Sequence, residues 1–189
     1  MALILASASP RRAELLRNAG VEFTVEPSNI SEEPQPGEDP VELAKRLALE
    51  KAREVFRKHP DKFVLSADTV VLAGGEMLAK PEDAADAMRM LRRLSGRTHQ
   101  VITGVCVAGP GMSEDVRAEK TQVTFNRVDE DEIQAYVASG DPMDKAGGYG
   151  IQGTASRWIP RIEGDYFNVV GLPVALVWRM LREHGAVER

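Results

Sequence analysis

The ten residues Leu3 to Arg12, LILASASPRR, pass from an apolar strand through a turn of small residues into a helix that begins with two arginines. This order constrains the fold more than any other stretch, because strand, tight turn and helix in sequence is the repeating unit of α/β proteins. Ser9 is a good N-cap and Pro10 suits the first helical position, where its missing N–H would be unpaired anyway. The helix then runs through Ala13, Leu15 and Leu16 to Gly20 as terminator. Arg11 and Arg12 fall in the first turn, where the helix dipole disfavours cations. The unpaired amides and the two arginines together favour an anion at this helix start.

The chain has 189 residues, enough for one well-buried α/β domain, with 43% hydrophobic and 28% charged residues. Its formal net charge of -5 argues against a protein that coats nucleic acid. A local basic cluster in an acidic protein fits a small anionic ligand instead. No apolar run is long enough to span a bilayer and the start lacks a signal-peptide pattern, so a cytoplasmic protein without membrane or nucleic-acid partners is expected. Cys106 is the only cysteine and stands in the apolar run VITGVCVA, which reads as a buried structural thiol. His59, His99 and His184 have no motif around them and are assigned no chemistry.

A short strand is expected near Phe23, then a loop from Pro27 to Pro40. Apolar positions Val41, Leu43, Ala44, Leu47, Ala48, Ala52 and Val55 recur at helical spacing and predict an amphipathic helix from Pro40 to His59. FVLSADTVVLAGGEMLAKP reads as a buried strand and a Gly74-Gly75 hairpin returning toward Lys80. Further expected elements are a helix from Pro81 to Leu94, strands from His99 to Ala108 and Val116 to Val128, a helix capped by Asp129 running to about Ser139, a glycine-rich loop DPMDKAGGYGIQG, and a helix from Leu172 to His184. Hairpins mixed with crossovers predict a mixed twisted sheet flanked by helices.

Asp68 interrupts what would otherwise be a continuous buried strand. Burying a bare carboxylate is costly, so the residue calls for a metal, a hydrogen-bond network or an opening onto a site, and such groups serve as general bases. The hairpin predicts that Lys80 lies near Asp68, bringing an ammonium to the carboxylate. Glycines 147 to 153 permit close backbone approach to a ligand, and Gln152 offers both a donor and an acceptor for a base edge.

Seven segments in order, SASPRR at Ser7 to Arg12, LALEKA at Leu47 to Ala52, SADTVV at Ser66 to Val71, LAKP at Leu78 to Pro81, LSGRTHQVITGV at Leu94 to Val105, DKAGGYGIQG at Asp144 to Gly153 and VVGLPV at Val169 to Val174, resemble the Maf family of nucleoside triphosphate pyrophosphatases. The resemblance covers nearly the whole chain. It implies two lobes around a nucleotide-binding cleft within one domain over residues 1–189. It also implies hydrolysis of a nucleoside triphosphate between the α and β phosphates with a divalent cation, Mg²⁺ or Mn²⁺. On this resemblance Asp68 matches the proton acceptor for the attacking water, and Ser7, Arg12, Lys51 and Lys80 match positions that hold the triphosphate. Glu32, where relatives often carry Asp-Glu in place of Ser31-Glu32, matches an acidic residue that helps Asp68 bind the metal. Arg11, Thr69 and Gln152 match the subfamily that prefers dTTP and UTP, and members often pair as homodimers. Two alternatives stand beside this expectation: a nucleotide-sensing inhibitor of septum formation acting through a protein partner, and a pyrophosphatase for modified purine nucleotides such as 7-methyl-GTP.

Overall fold

The computed structural model describes residues 2–187. Seven strands form a mixed sheet in the order β2-β1-β3-β5-β6-β7, with β4 paired to β3. The strands are β1 (Leu3–Leu5), β2 (Thr24–Val25), β3 (Phe63–Ala73), β4 (Glu76–Leu78), β5 (Thr98–Ala108), β6 (Asp115–Thr124) and β7 (Arg161–Glu163). Among the described residues, six α-helices accompany them: α1 (Pro10–Asn18), α2 (Pro40–Lys58), α3 (Ala84–Leu94), α4 (Glu130–Ala138), α5 (Tyr166–Val170) and α6 (Val174–Glu183). The chain divides into two compact units, and β3, β5 and β6 contribute residues to both.

The first unit comprises residues 1–68, 103–119 and 171–189. Here β1 runs parallel to both neighbours, Ile4 opposite Thr24 and Leu3 opposite Phe63. The Ser9 hydroxyl accepts from the Arg12 amide at 3.4 Å to cap α1, Pro10 occupies the first helical position, and Gly20 follows the helix at φ +74°. Asp39 caps α2 by accepting from the Val41 amide at 2.8 Å. The apolar stripe of α2 buries Ala48, Ala52 and Val55 against Ile4, Val64, Cys106 and Ala108. Cys106 is therefore a core thiol, and burial pushes its pKa up to about 12.

The second unit comprises residues 69–102 and 120–170. The Gly74-Gly75 turn returns β4 antiparallel to β3, with Val71 opposite Leu78, and both glycines adopt the positive φ that such a turn requires. Its core joins Leu91 and Leu94 of α3 to Phe125, Tyr136, Tyr149 and Trp158. Truncating side chains buried this deeply costs about 2–5 kcal/mol each.

Several boundaries differ from expectation. Helix α3 begins at Ala84 rather than Pro81, because Asp83 is the N-cap and accepts from the Asp86 amide at 2.8 Å. Strand β6 stops at Thr124 instead of continuing to Val128, since the Phe125 amide turns to the Arg97 carbonyl and the Asn126 amide to that of Trp158. Asp129 stands at the N-cap of α4 but makes no side-chain capping bond. The glycine-rich stretch contains short 3₁₀ turns at Asp141–Asp144 and Ala146–Gly148, and a third follows at Thr154–Trp158. Their local bonds span three residues and leave no long-range pattern in sequence. Strand β7 and helix α5 are too short to produce a periodic signal, and α6 starts at Val174, two residues beyond the expected start at Leu172.

Candidate active site

Asp68 is the last residue of the first unit, in the middle of β3, and is buried to 7% exposure. Its Oδ1 accepts from Nζ of Lys51 at 2.6 Å, and the same nitrogen lies 2.6 Å from Oε1 of Glu32. One ammonium thus joins carboxylates from two segments, a strand and the long loop before α2. Lys51 is itself 6% exposed, a burial tolerated only because the charge is paired. Lys51, on α2, thus brings an ammonium to Asp68. Lys80 belongs to the second unit, two residues beyond the end of β4 at Leu78.

Arg12 reaches the same group of residues from α1. Its Nε donates to the Gly171 carbonyl at 2.8 Å, and its Nη1 donates to the Ala67 carbonyl at 2.9 Å and to Oγ of Ser7 at 3.3 Å. Burial pulls the guanidinium below its ordinary pKa, opposed by the charges of Asp68 and Glu32. Ser7, directly beyond β1, also accepts from the Ser9 amide at 3.2 Å. Arg11 shares this helix start and acts on Arg12 as a like charge.

The loop carrying Glu32 is fastened by Arg46 of α2. Arg46 grips Glu38 through both carboxylate oxygens, Nε to Oε1 at 2.6 Å and Nη2 to Oε2 at 2.9 Å, and donates to the Glu33 carbonyl at 3.1 Å. This bonding holds the Glu38 carboxyl at about 2, well below its ordinary range. The available signal was an arginine one turn from Glu42 and Glu50 on the helix that follows an acidic loop. Its partner in that loop is fixed only by folding.

In the second unit, the Gly147 amide donates to the Ala79 carbonyl at 3.0 Å, tying the glycine-rich segment to the residue before Lys80. Gly147 adopts φ +73° against the side chain of Val71. The Tyr136 hydroxyl donates to Oδ2 of Asp141 at 2.5 Å and accepts from the Gly150 amide at 3.3 Å. Lys145 binds the Asp141 carbonyl at 2.6 Å and Asp144 at 2.8 Å. These bonds shape the loop that presents the exposed side chain of Gln152. Thr69, one residue after Asp68 on β3, begins this unit.

Among the described residues, no group of three or more His, Cys, Asp or Glu side chains could cage a metal ion. Glu32 and Asp68, both held on one ammonium, are a two-carboxylate donor set. That number fits Mg²⁺, which binds through one or two carboxylates plus substrate phosphates rather than in an all-protein cage. No helix among the described residues is long and apolar enough to cross a membrane.

A family model described as Maf-like protein matches residues 2–184. A dTTP/UTP pyrophosphatase of Koribacter versatilis is 57% identical over 187 residues, 99% of this chain and 96% of that one. A second protein of that name, from Citrifermentans bemidjiense, is 50% identical over 186 residues, 98% of this chain and 96% of the relative. Among solved structures, the Staphylococcus aureus Ham1 protein has a TM-score of 0.56 at 14% identity, covering 97% of this chain and all of that one, a likeness of fold.

Proposed function

This chain belongs to the Maf family, and from that premise we propose that it hydrolyses dTTP and UTP to the nucleoside monophosphate and pyrophosphate, with Asp68 as the base. In class it is a nucleoside triphosphate pyrophosphatase, a hydrolase of acid anhydrides. The observation that carries the finer reading is the pairing of Lys51 with Asp68 and Glu32 at 2.6 Å each, in a chain whose relatives at 50 to 57% identity are named for that activity.

Phosphoryl transfer asks a protein chiefly for positioning and charge neutralisation. Lys51 holds Oδ1 of Asp68, which leaves Oδ2 to take a proton from water as the water adds to phosphorus and the α–β anhydride bond breaks. Arg12 and the α1 amides supply positive charge for the phosphates. The hydroxyl of Ser7 accepts from Arg12 and Ser9, so its own proton is turned to a further acceptor such as a phosphate oxygen. Lys80 is a further cation for the phosphates. A divalent cation held by Glu32, Asp68 and the triphosphate would neutralise charge and polarise the phosphoryl oxygens. Gln152 carries a donor and an acceptor that match the imide edge of thymine or uracil, with Arg11 and Thr69 completing the preference for pyrimidines.

The test is pyrophosphate release with Mg²⁺ or Mn²⁺ from dTTP, UTP, CTP, GTP and 7-methyl-GTP, run with Asp68→Asn in parallel. We expect turnover of dTTP and UTP, reduced about 10²- to 10⁴-fold in the variant. Substantial activity in Asp68→Asn would remove the base. Binding without turnover by the unaltered protein would replace the enzyme with a sensor.

A further inference from the structure

The helix that carries Lys51 is seated on its sheet by two groups to which the chemistry above gives no role. Ser66 is fully buried in β3, and its Oγ donates to the Ala48 carbonyl of α2 at 2.5 Å. Ser66 and Asp68 are two residues apart on one strand and so share a face. Ala48 and Lys51 are three apart on one helix and share a face too. The strand therefore grips the helix at two successive points, the Ala48 carbonyl and the Lys51 ammonium.

Gly104 of β5 supplies the second group. A Cβ at this position would overlap the Ala44 carbonyl and lie 2.7 Å from the Lys45 amide nitrogen. Backbone has no rotamer with which to escape, so only glycine lets α2 approach this closely. Ala44, Ala48 and Ala52, each fully buried, keep that helix face thin. Ala44 is one turn before Ala48 and nearly two before Lys51.

We propose that Ser66 and Gly104 are positioning residues for the reaction: Gly104 sets the depth of α2 against the sheet and Ser66 its register, and together they place the Lys51 ammonium at Asp68 and Glu32. The inference rests on the reading of Asp68 and Lys51 as active-site groups. Displacing a catalytic group by 1 Å can cost about 10²-fold in rate, whereas the contacts proposed for the triphosphate through Arg12 and Ser7 come from α1 and the turn before it.

The experiment compares Ser66→Ala and Gly104→Ala with Leu181→Ala, a core truncation on α6, at conditions where all are equally folded, with Asp68→Asn as the reference. For Ser66→Ala and Gly104→Ala we expect kcat for dTTP to fall about tenfold to a hundredfold with KM changed less than about threefold, while Leu181→Ala keeps its kcat. Ser66→Ala adds no atoms and decides the matter if Gly104→Ala does not fold. A fall in kcat below about fivefold in folded Ser66→Ala, or an equal fall in Leu181→Ala, overturns the proposal. Activity surviving in Asp68→Asn instead removes the reading beneath it, whatever the other variants do.

Discussion

The backbone carbonyl of Gly171 accepts a 2.8 Å hydrogen bond from Nε of Arg12, a residue 159 positions earlier in the chain. With the Ala67 carbonyl on Nη1, it holds the guanidinium in one orientation. Gly171 adopts φ +126°, a conformation that side chains resist. A lysine at position 12 would keep the charge but could not satisfy two carbonyls in fixed directions. Arg12→Lys is therefore expected to lower kcat/KM for dTTP by about 10²-fold while the far-ultraviolet circular dichroism spectrum stays unchanged. A loss of less than about threefold would mean that charge alone suffices.

Arg46 is expected to matter although it touches neither Asp68 nor Lys51 in any bond described above. Its fork on Glu38 and its bond to the Glu33 carbonyl pin the loop on both sides of the chain leading from Glu32 to α2. Hydrogen bonds to charged groups contribute about 1.5–3 kcal/mol each, and losing one unit of such restraint opens the loop about tenfold more often. Arg46→Gln should speed cleavage of residues 26–39 by glutamyl endopeptidase about tenfold under native conditions and weaken the dependence of activity on Mg²⁺ concentration. Arg46→Lys, with a single ammonium, should not restore the protection. Unchanged cleavage in Arg46→Gln would show that the loop is held by other contacts.

His99 predicts an acid-sensitive second unit. It is 2% exposed, with Nε2 2.7 Å from the Tyr149 hydroxyl and its ring edge-on to Phe125 and Tyr149. Burial pulls its pKa down to about 4, against about 6.5 in an unfolded chain. Between those values the unfolded chain binds a proton that the native state refuses. The contribution is therefore complete above pH 6.5 and declines by about 3 kcal/mol as the pH falls to 4. Urea titrations at steps between pH 7 and 4.5 should show this decline, and His99→Phe should flatten it. Parallel curves for the two proteins would assign the acid sensitivity to other groups.

Much of the local structure could be read from the residues themselves. Ser9 and Pro10 start α1 and Asp39 and Pro40 start α2, because a cap acts on amides two or three residues away. The Gly74-Gly75 turn and the apolar stripe of α2 are equally local. Motif order carried the family, and Asp68 stood out as a carboxylate in a buried strand.

What only the tertiary structure decided is which distant groups meet. The partner of Asp68 is Lys51, 17 positions away on another element, and no spacing rule links a strand residue to a helix residue across a loop. The Gly171 carbonyl on Arg12, the Glu38 carboxylate on Arg46 and the Ala48 carbonyl on Ser66 are likewise products of packing. Backbone carbonyls are the same in every residue, so their use as orienting groups leaves no mark in composition. The end of β6 and the 3₁₀ turns before Gln152 follow the same rule: the sequence determined the elements whose causes lie within one turn of helix or one hairpin, and packing decided where those elements stop and which charges they bring together.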